Sequence, residues 1–201
     1  MKTQNFKGIV LTKTKVKNNI LRIWNLTNKY DRFDWYQEAN DWASNRVVEG
    51  VNLNKVCGII AALSPVKRWE DNLKCAVSLI NTRDCGHMKQ FKNKALAILD
   101  CDGSEEEILK ILNGNKISAF YKNIRHPFDG SNVTIDRHAL SIALGYWITE
   151  DDYKGMTTNQ YNFFSDCFAE ASLKVGVSPL LMQSATWVKW REIKTEYKRT
   201  A

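Results

Sequence analysis

"GNKISAFYKNIRHPFDGSNVTIDRHA", residues 114–139, is the stretch on which the reading of the whole chain turns. It passes from a glycine–lysine turn through an apolar helix and a polar loop to one aspartate, Asp136, set between β-branched residues and a histidine. Asp136 precedes the helix-period run RHALSIALG, so its plainest role is that of an N-cap. A carboxylate at that place also holds negative charge beside apolar neighbours. Lys116 lies at the far end of the same stretch, in the first turn of a helix, where the dipole disfavours a cation unless an anion is near. Two roles stay open for it: contact with a phosphate, or attack as a neutral amine to form a Schiff base.

Outward from this stretch the chain reads as almost all helix. Apolar residues recur at spacings of three and four in KVCGIIAAL (55–63), NLKCAVSLI (72–80) and FKNKALAIL (91–99). Ser104 opens SEEE as a capping box with Glu107, and Ser178 followed by Pro179 opens a long helix running toward residue 198. Gly145, Gly155 and Gly176 punctuate helix ends. No segment alternates for long, so a large sheet is not expected. The expectation is an all-α, two-lobed helical domain of roughly eight to ten short helices. Its approximate lobes are 30–135, and 1–29 with 136–201.

At 201 residues with 44% hydrophobic and 25% charged composition, the chain has ordinary globular usage and length enough for a real core. No apolar run reaches the roughly 18 residues of a membrane span, and MKTQNFKGIVLTKTK lacks a signal-peptide core, which gives a cytoplasmic expectation. Cys57, Cys75, Cys85, Cys101 and Cys167 form no CxxC pair and read as reduced core thiols; no metal or cofactor is expected. The formal charge of +7 is uneven. Residues 1–32 hold eight basic residues (Lys2, Lys7, Lys13, Lys15, Lys17, Arg22, Lys29, Arg32) against Asp31, and Lys189–Arg199 holds five against two acids. Chain ends often lie close together, so these stretches are candidates for one basic face drawing phosphate backbones through counterion release. A solvated surface is the bland alternative.

The motifs together resemble the helix-hairpin-helix DNA glycosylase superfamily, the endonuclease III and oxoguanine glycosylase group. Gly114, Lys116, Ser118, Phe120 and Asn123 match its hairpin and following helix; Ile135, Asp136, Arg137 and His138 match its aspartate segment; and GIIAALSPVKRWEDN (58–72) matches its early helix-turn-helix. The matched region is under half of the chain. Leu112 stands where the hairpin's first glycine is usual, and Val66 where the family has the glutamine that fills the gap left by an extruded base. The pattern KISAFYKNI, VTIDRHA and QSATWVKWRE resembles a phage-type branch.

The resemblance implies a monomeric enzyme that flips a base from double-stranded DNA and cleaves its N-glycosidic bond, with or without lyase activity. Asp136 and Lys116 would be catalytic. Asn113, Gly114 and Asn115 would offer amides to a phosphate, with Lys67, Arg68 and Trp69 in further DNA contacts. Gln183 and Trp187, spaced i, i+4, would read and wall the base pocket, although Trp187 also reads as a core residue of the last helix. His138 would orient or pack in that pocket. The alternatives are a DNA-hypermodification enzyme on the same fold and a non-catalytic DNA-binding or host-takeover protein.

Overall fold

The computed structural model describes residues 3–28 and 34–200, the side chains of 197–200 excepted; Lys2, Lys29, Asp31 and Arg32 of the expected basic face lie outside the described residues. The chain divides into two compact units, one from Met1–Trp35 with Asp129–Ala201 and the other Tyr36–Phe128. The protein is mostly helical, with ten helices and one two-stranded sheet among the described residues.

In the unit Tyr36–Phe128, the helix α3 (Leu53–Leu63) is the centre, and every residue from Lys55 to Leu63 is buried. The helices α4 (Trp69–Thr82), α5 (Lys89–Asp100), α6 (Glu105–Leu112) and α7 (Asn115–Arg125) all pack on it. Gly58 is what allows this closeness: a Cβ there would lie 2.9 Å from Ile108 Cγ2 and 3.0 Å from Ile98 Cγ2. Ile59, Ile60 and Leu63 are fully buried, each contributing about 2 kcal/mol over an exposed position. The buried Lys55 ammonium donates to the carbonyls of Gly50 and Leu99 at 3.0 Å, so its charge is not left bare. The helix α2 (Trp35–Ser44) ties to the end of α7 through Asn40, whose amide donates to Ile124 and Arg125 carbonyls.

In the other unit, strands β1 (Thr3–Phe6) and β2 (Ile9–Thr12) pair antiparallel across Lys7–Gly8, both at positive φ, a turn of the kind a two-residue hairpin uses. Four-residue strands are too short to show as alternation, and the hairpin is absent from the sequence expectation. The helix α8 (Arg137–Leu144) is buried from Ala139 to Leu144 and packs against α1 (Lys13–Trp24), α9 (Thr158–Val175) and α10 (Pro179–Thr200).

Two caps depart from the sequence reading. Ser104 does cap α6 by accepting from the Glu107 amide, but the Glu107 carboxylate accepts from the Asp102 amide, because Asp102 itself holds Ser104 N–H at 2.7 Å. The reciprocal box is instead at Thr157 and Gln160, opening α9. Gly145 and Gly176 are left-handed helix ends as expected, whereas Gly155 lies in the loop before α9. Ser178 caps α10 by accepting from the Leu181 amide at 3.1 Å.

Candidate active site around Asp136

The segment before α8 is fixed from two sides. The Leu180 amide of α10 donates to the Gly130 carbonyl at 3.0 Å. Gly130 has φ 69°, and a Cβ there would meet Ser178 Cβ at 2.9 Å, so only glycine serves. The Tyr161 hydroxyl of α9 donates to the Val133 carbonyl at 2.7 Å and accepts from the Ile135 amide at 3.2 Å. Val133 and Ile135 are buried, so this phenol satisfies backbone groups that no strand partner reaches.

Asp136 follows with extended backbone and acts as the N-cap of α8. Its Oδ1 accepts from the Ala139 amide at 2.8 Å, and its Oδ2 accepts from Trp187 Nε1–H at 2.9 Å. The cap role and a held carboxylate are therefore both present in one side chain, which remains half-buried. Trp187 is half-buried too: it is a ligand of the carboxylate rather than a residue of the closed core.

Around this pair the His138 ring stands edge-on to Trp187, centroids 5.8 Å apart at 88°, and the Arg191 guanidinium lies 4.6 Å from the Trp187 ring centre. Burial pushes the His138 imidazole below its ordinary 6.5; Asp136 pulls it upward, and Arg137, Lys194 and Arg191 push it down. Burial and then the charge of Asp136 push the Tyr153 phenol up. Gln183 is buried one turn upstream of Trp187 on α10. On either side of Arg191 the same helix carries Trp190, stacked on Trp147 at 3.7 Å between centroids, and Lys194, with its ammonium 5.5 Å from the Trp147 ring.

The hairpin residues belong to the other unit. There α6 and α7 are joined by Asn113 and Gly114 alone. Leu112, at the usual glycine position, is a fully buried helical residue, and Asn113 takes the left-handed conformation instead, with φ 43° and ψ 64°. Lys94 donates to the Leu112 carbonyl and closes the end of α6. Gly114 caps α7 without a side chain, and the first turn holds no acid. Among the described residues the first amides of α7 therefore stay open, with Asn113, Gly114 and Asn115 exposed. Lys116 is half-buried and takes no hydrogen bond or ion pair among the described residues.

In the loop before α4, Val66 is 72% exposed at φ 56°, a strained conformation for a β-branched residue. Lys67 donates to the Gly86 carbonyl at 2.8 Å, Arg68 is exposed at the N-cap of α4, and Trp69 is half-buried in its first turn.

The expected basic face is partly neutralised. Lys13 pairs with Asp166 and Glu170 of α9, Lys17 pairs with Glu170, and Lys189 pairs with Glu192. Lys7 bonds the Asp152 carbonyl. Arg191 has no carboxylate partner among the described residues, and its i, i+4 spacing from Trp187 was the available signal for it. Nothing local in the sequence marked Tyr161 or Tyr153, which reach the Asp136 segment from distant positions.

The one group with metal-ligand proximity among the described residues is Cys101, Asp102 and Glu107, within 4.8 Å of one another. Both carboxylates there already accept backbone N–H bonds and the thiol donates to Ile98, which accounts for the cluster. The five cysteines are free, four of them buried. Among the described residues no helix is long and apolar enough to cross a membrane.

Fold and site together define a mostly helical protein that holds one capped, indole-bonded carboxylate. The chain belongs to the family of unknown function DUF7178, whose pattern matches residues 3–194. No curated protein and no solved structure matches it.

Proposed function

We propose that the protein is a DNA glycosylase-like enzyme, which extrudes a base from the duplex and breaks its N-glycosidic bond at Asp136. The observation that carries this is the fixing of both Asp136 oxygens, by the Ala139 amide and the Trp187 indole. A carboxylate oriented in advance, half-buried beside aromatic rings, stabilises a developing oxocarbenium ion without reorganising. The rings of Trp187 and His138 offer flat walls to a flipped base. The open amides at Asn115–Ile117 with Lys116 beside them suit a backbone phosphate, and Lys67, Arg68 and Trp69 supply further contacts. Lys116 serves here as a phosphate contact; a Schiff-base role makes it a lyase as well. Modified bases of phage or host DNA are candidate substrates alongside ordinary ones, and action on a substituent of the base is the nearest variant of the same chemistry.

A non-catalytic DNA-binding role is the second reading, and Asp136 itself favours it, since capping α8 is sufficient reason for an aspartate there. Incubation with duplexes bearing modified bases, followed by alkali and by borohydride trapping, separates the two. Base release at a defined position supports the enzyme, trapping adds the lyase, and tight binding with intact DNA leaves the binder.

A further inference from the structure

One side chain beside Asp136, a wall of the base site, has no part yet in the bond-breaking step itself. His138 is half-buried in the first turn of α8, and its ring nitrogens take no hydrogen bond or ion pair among the described residues. The other two histidines are engaged: His87 Nε2 at 3.1 Å from the Leu63 carbonyl, and His126 Nε2 at 2.8 Å from Glu105. Partly buried imidazoles ordinarily find partners, so an unclaimed one beside a fixed carboxylate is a reactive group in waiting. Asp136, in contrast, has a hydrogen-bond donor on each oxygen.

We infer that His138 is the proton acceptor of this site, taking a proton from the water that attacks C1′ while Asp136 supplies the counter-charge. The inference rests on the glycosylase role proposed for Asp136. In the step, the C1′–N bond breaks and its electron pair leaves with the nucleobase. A water oxygen forms the new C1′–O bond, and one water proton passes to a His138 ring nitrogen. The imidazolium is stabilised by the Asp136 carboxylate and then returns its proton to the departed nucleobase nitrogen, so charge and atoms balance.

The charges facing the ring come from its own turn, Asp136 and Arg137, and from α10, Arg191 and Lys194, with the Tyr153 phenol near Asp136. Burial holds the ring below 6.5 against the pull of Asp136, with the three cations adding to burial. The imidazole is therefore neutral at neutral pH, the form a general base requires.

The test is single-turnover base release from duplexes carrying uracil, hypoxanthine, 8-oxoguanine or an alkylated purine, followed across acid to neutral pH. Wild type, His138→Gln and His138→Ala are compared, the last with and without free imidazole, and DNA affinity is measured in parallel. Wild-type rate should rise with pH through a titration below 6.5 and then level off. His138→Gln should lose about 100-fold on the plateau, together with the acid limb, when rates are read at DNA concentrations that saturate each variant. Free imidazole should restore His138→Ala, which no packing role predicts. His138→Gln with wild-type rate and profile, or loss without imidazole rescue, overturns the His138 assignment and leaves Asp136 standing. Wild type that releases no base from any duplex removes the glycosylase role, and the His138 role with it. Should the variants fail to fold, the ring NMR signals of the intact chain decide: a His138 that titrates at or above 6.5 overturns the inference.

Discussion

Trp187 Nε1–H donates to Asp136 Oδ2 at 2.9 Å, joining the middle of the last helix to the cap of α8 across 51 positions of sequence. Asp136→Asn keeps the oxygen that caps α8 but sets an amide against the indole N–H or forces the amide to turn. Stability should fall by about 1 kcal/mol, from the mispaired donor rather than from the cap. Base release should fall by orders of magnitude, with DNA affinity equal or tighter once a carboxylate facing phosphates is gone. Urea denaturation, single-turnover assays and equilibrium binding measure these effects separately. Unchanged base release would make Asp136 a cap and no more.

Trp187→Phe retains an aromatic ring beside His138 but deletes the indole N–H along with one ring of the bicycle. The carboxylate is half-buried, so water replaces the lost donor and the fold survives. Base release should drop about fivefold to tenfold, the equivalent of about 1 kcal/mol of lost positioning. Single-turnover rates check this, and a loss equal to that of Asp136→Asn would show that the indole does more than orient.

Gly114→Asp would cap α7 and place a charge where a phosphate is expected. A Cβ at Gly114 comes no closer than 4.0 Å to the Leu112 carbonyl, so the fold should accept it and gain a few tenths of a kcal/mol. DNA affinity should fall. Lys116→Gln should also weaken binding and reduce the salt slope by about 1. If both variants bind as tightly as wild type, the open start of α7 takes no phosphate.

Val66→Gly should stabilise the protein by about 1 kcal/mol, because it removes a left-handed β-branched residue whose side chain is 72% exposed. Base release should fall at the same time if the isopropyl group fills the space a flipped base leaves. Higher stability with unchanged activity would leave the strain without a functional account.

Acid should destabilise the protein through His87 and His138, both held below the ordinary 6.5, chiefly by burial, with Lys67 adding to it at His87. Below 6.5 the unfolded chain takes up protons that the folded rings refuse, so stability falls until each folded pKa is passed, and is whole above 6.5. Thermal unfolding followed from neutral to acid pH should show this slope, and His138→Gln should make it shallower.

The helical class was legible in the sequence because a buried face repeats every three to four residues, and NLKCAVSLI shows that repeat in α4, which buries Asn72, Cys75, Ala76 and Leu79. The cap at Asp136 was legible for the same reason: a cap bonds its own next turn, three residues away. The β-hairpin escaped because four-residue strands carry no period to read. Which lysines of the N-terminal stretch remain available also escaped, since Lys13 and Lys17 are neutralised by α9 residues more than 150 positions on. The hold of Tyr161 on Val133 and Ile135, of Leu180 on Gly130, and of Trp187 on Asp136 was decided by tertiary structure alone. Local pattern records what a residue does to its own helix; a hydrogen bond between distant helices exists only once hydrophobic packing has set their distance and rotation.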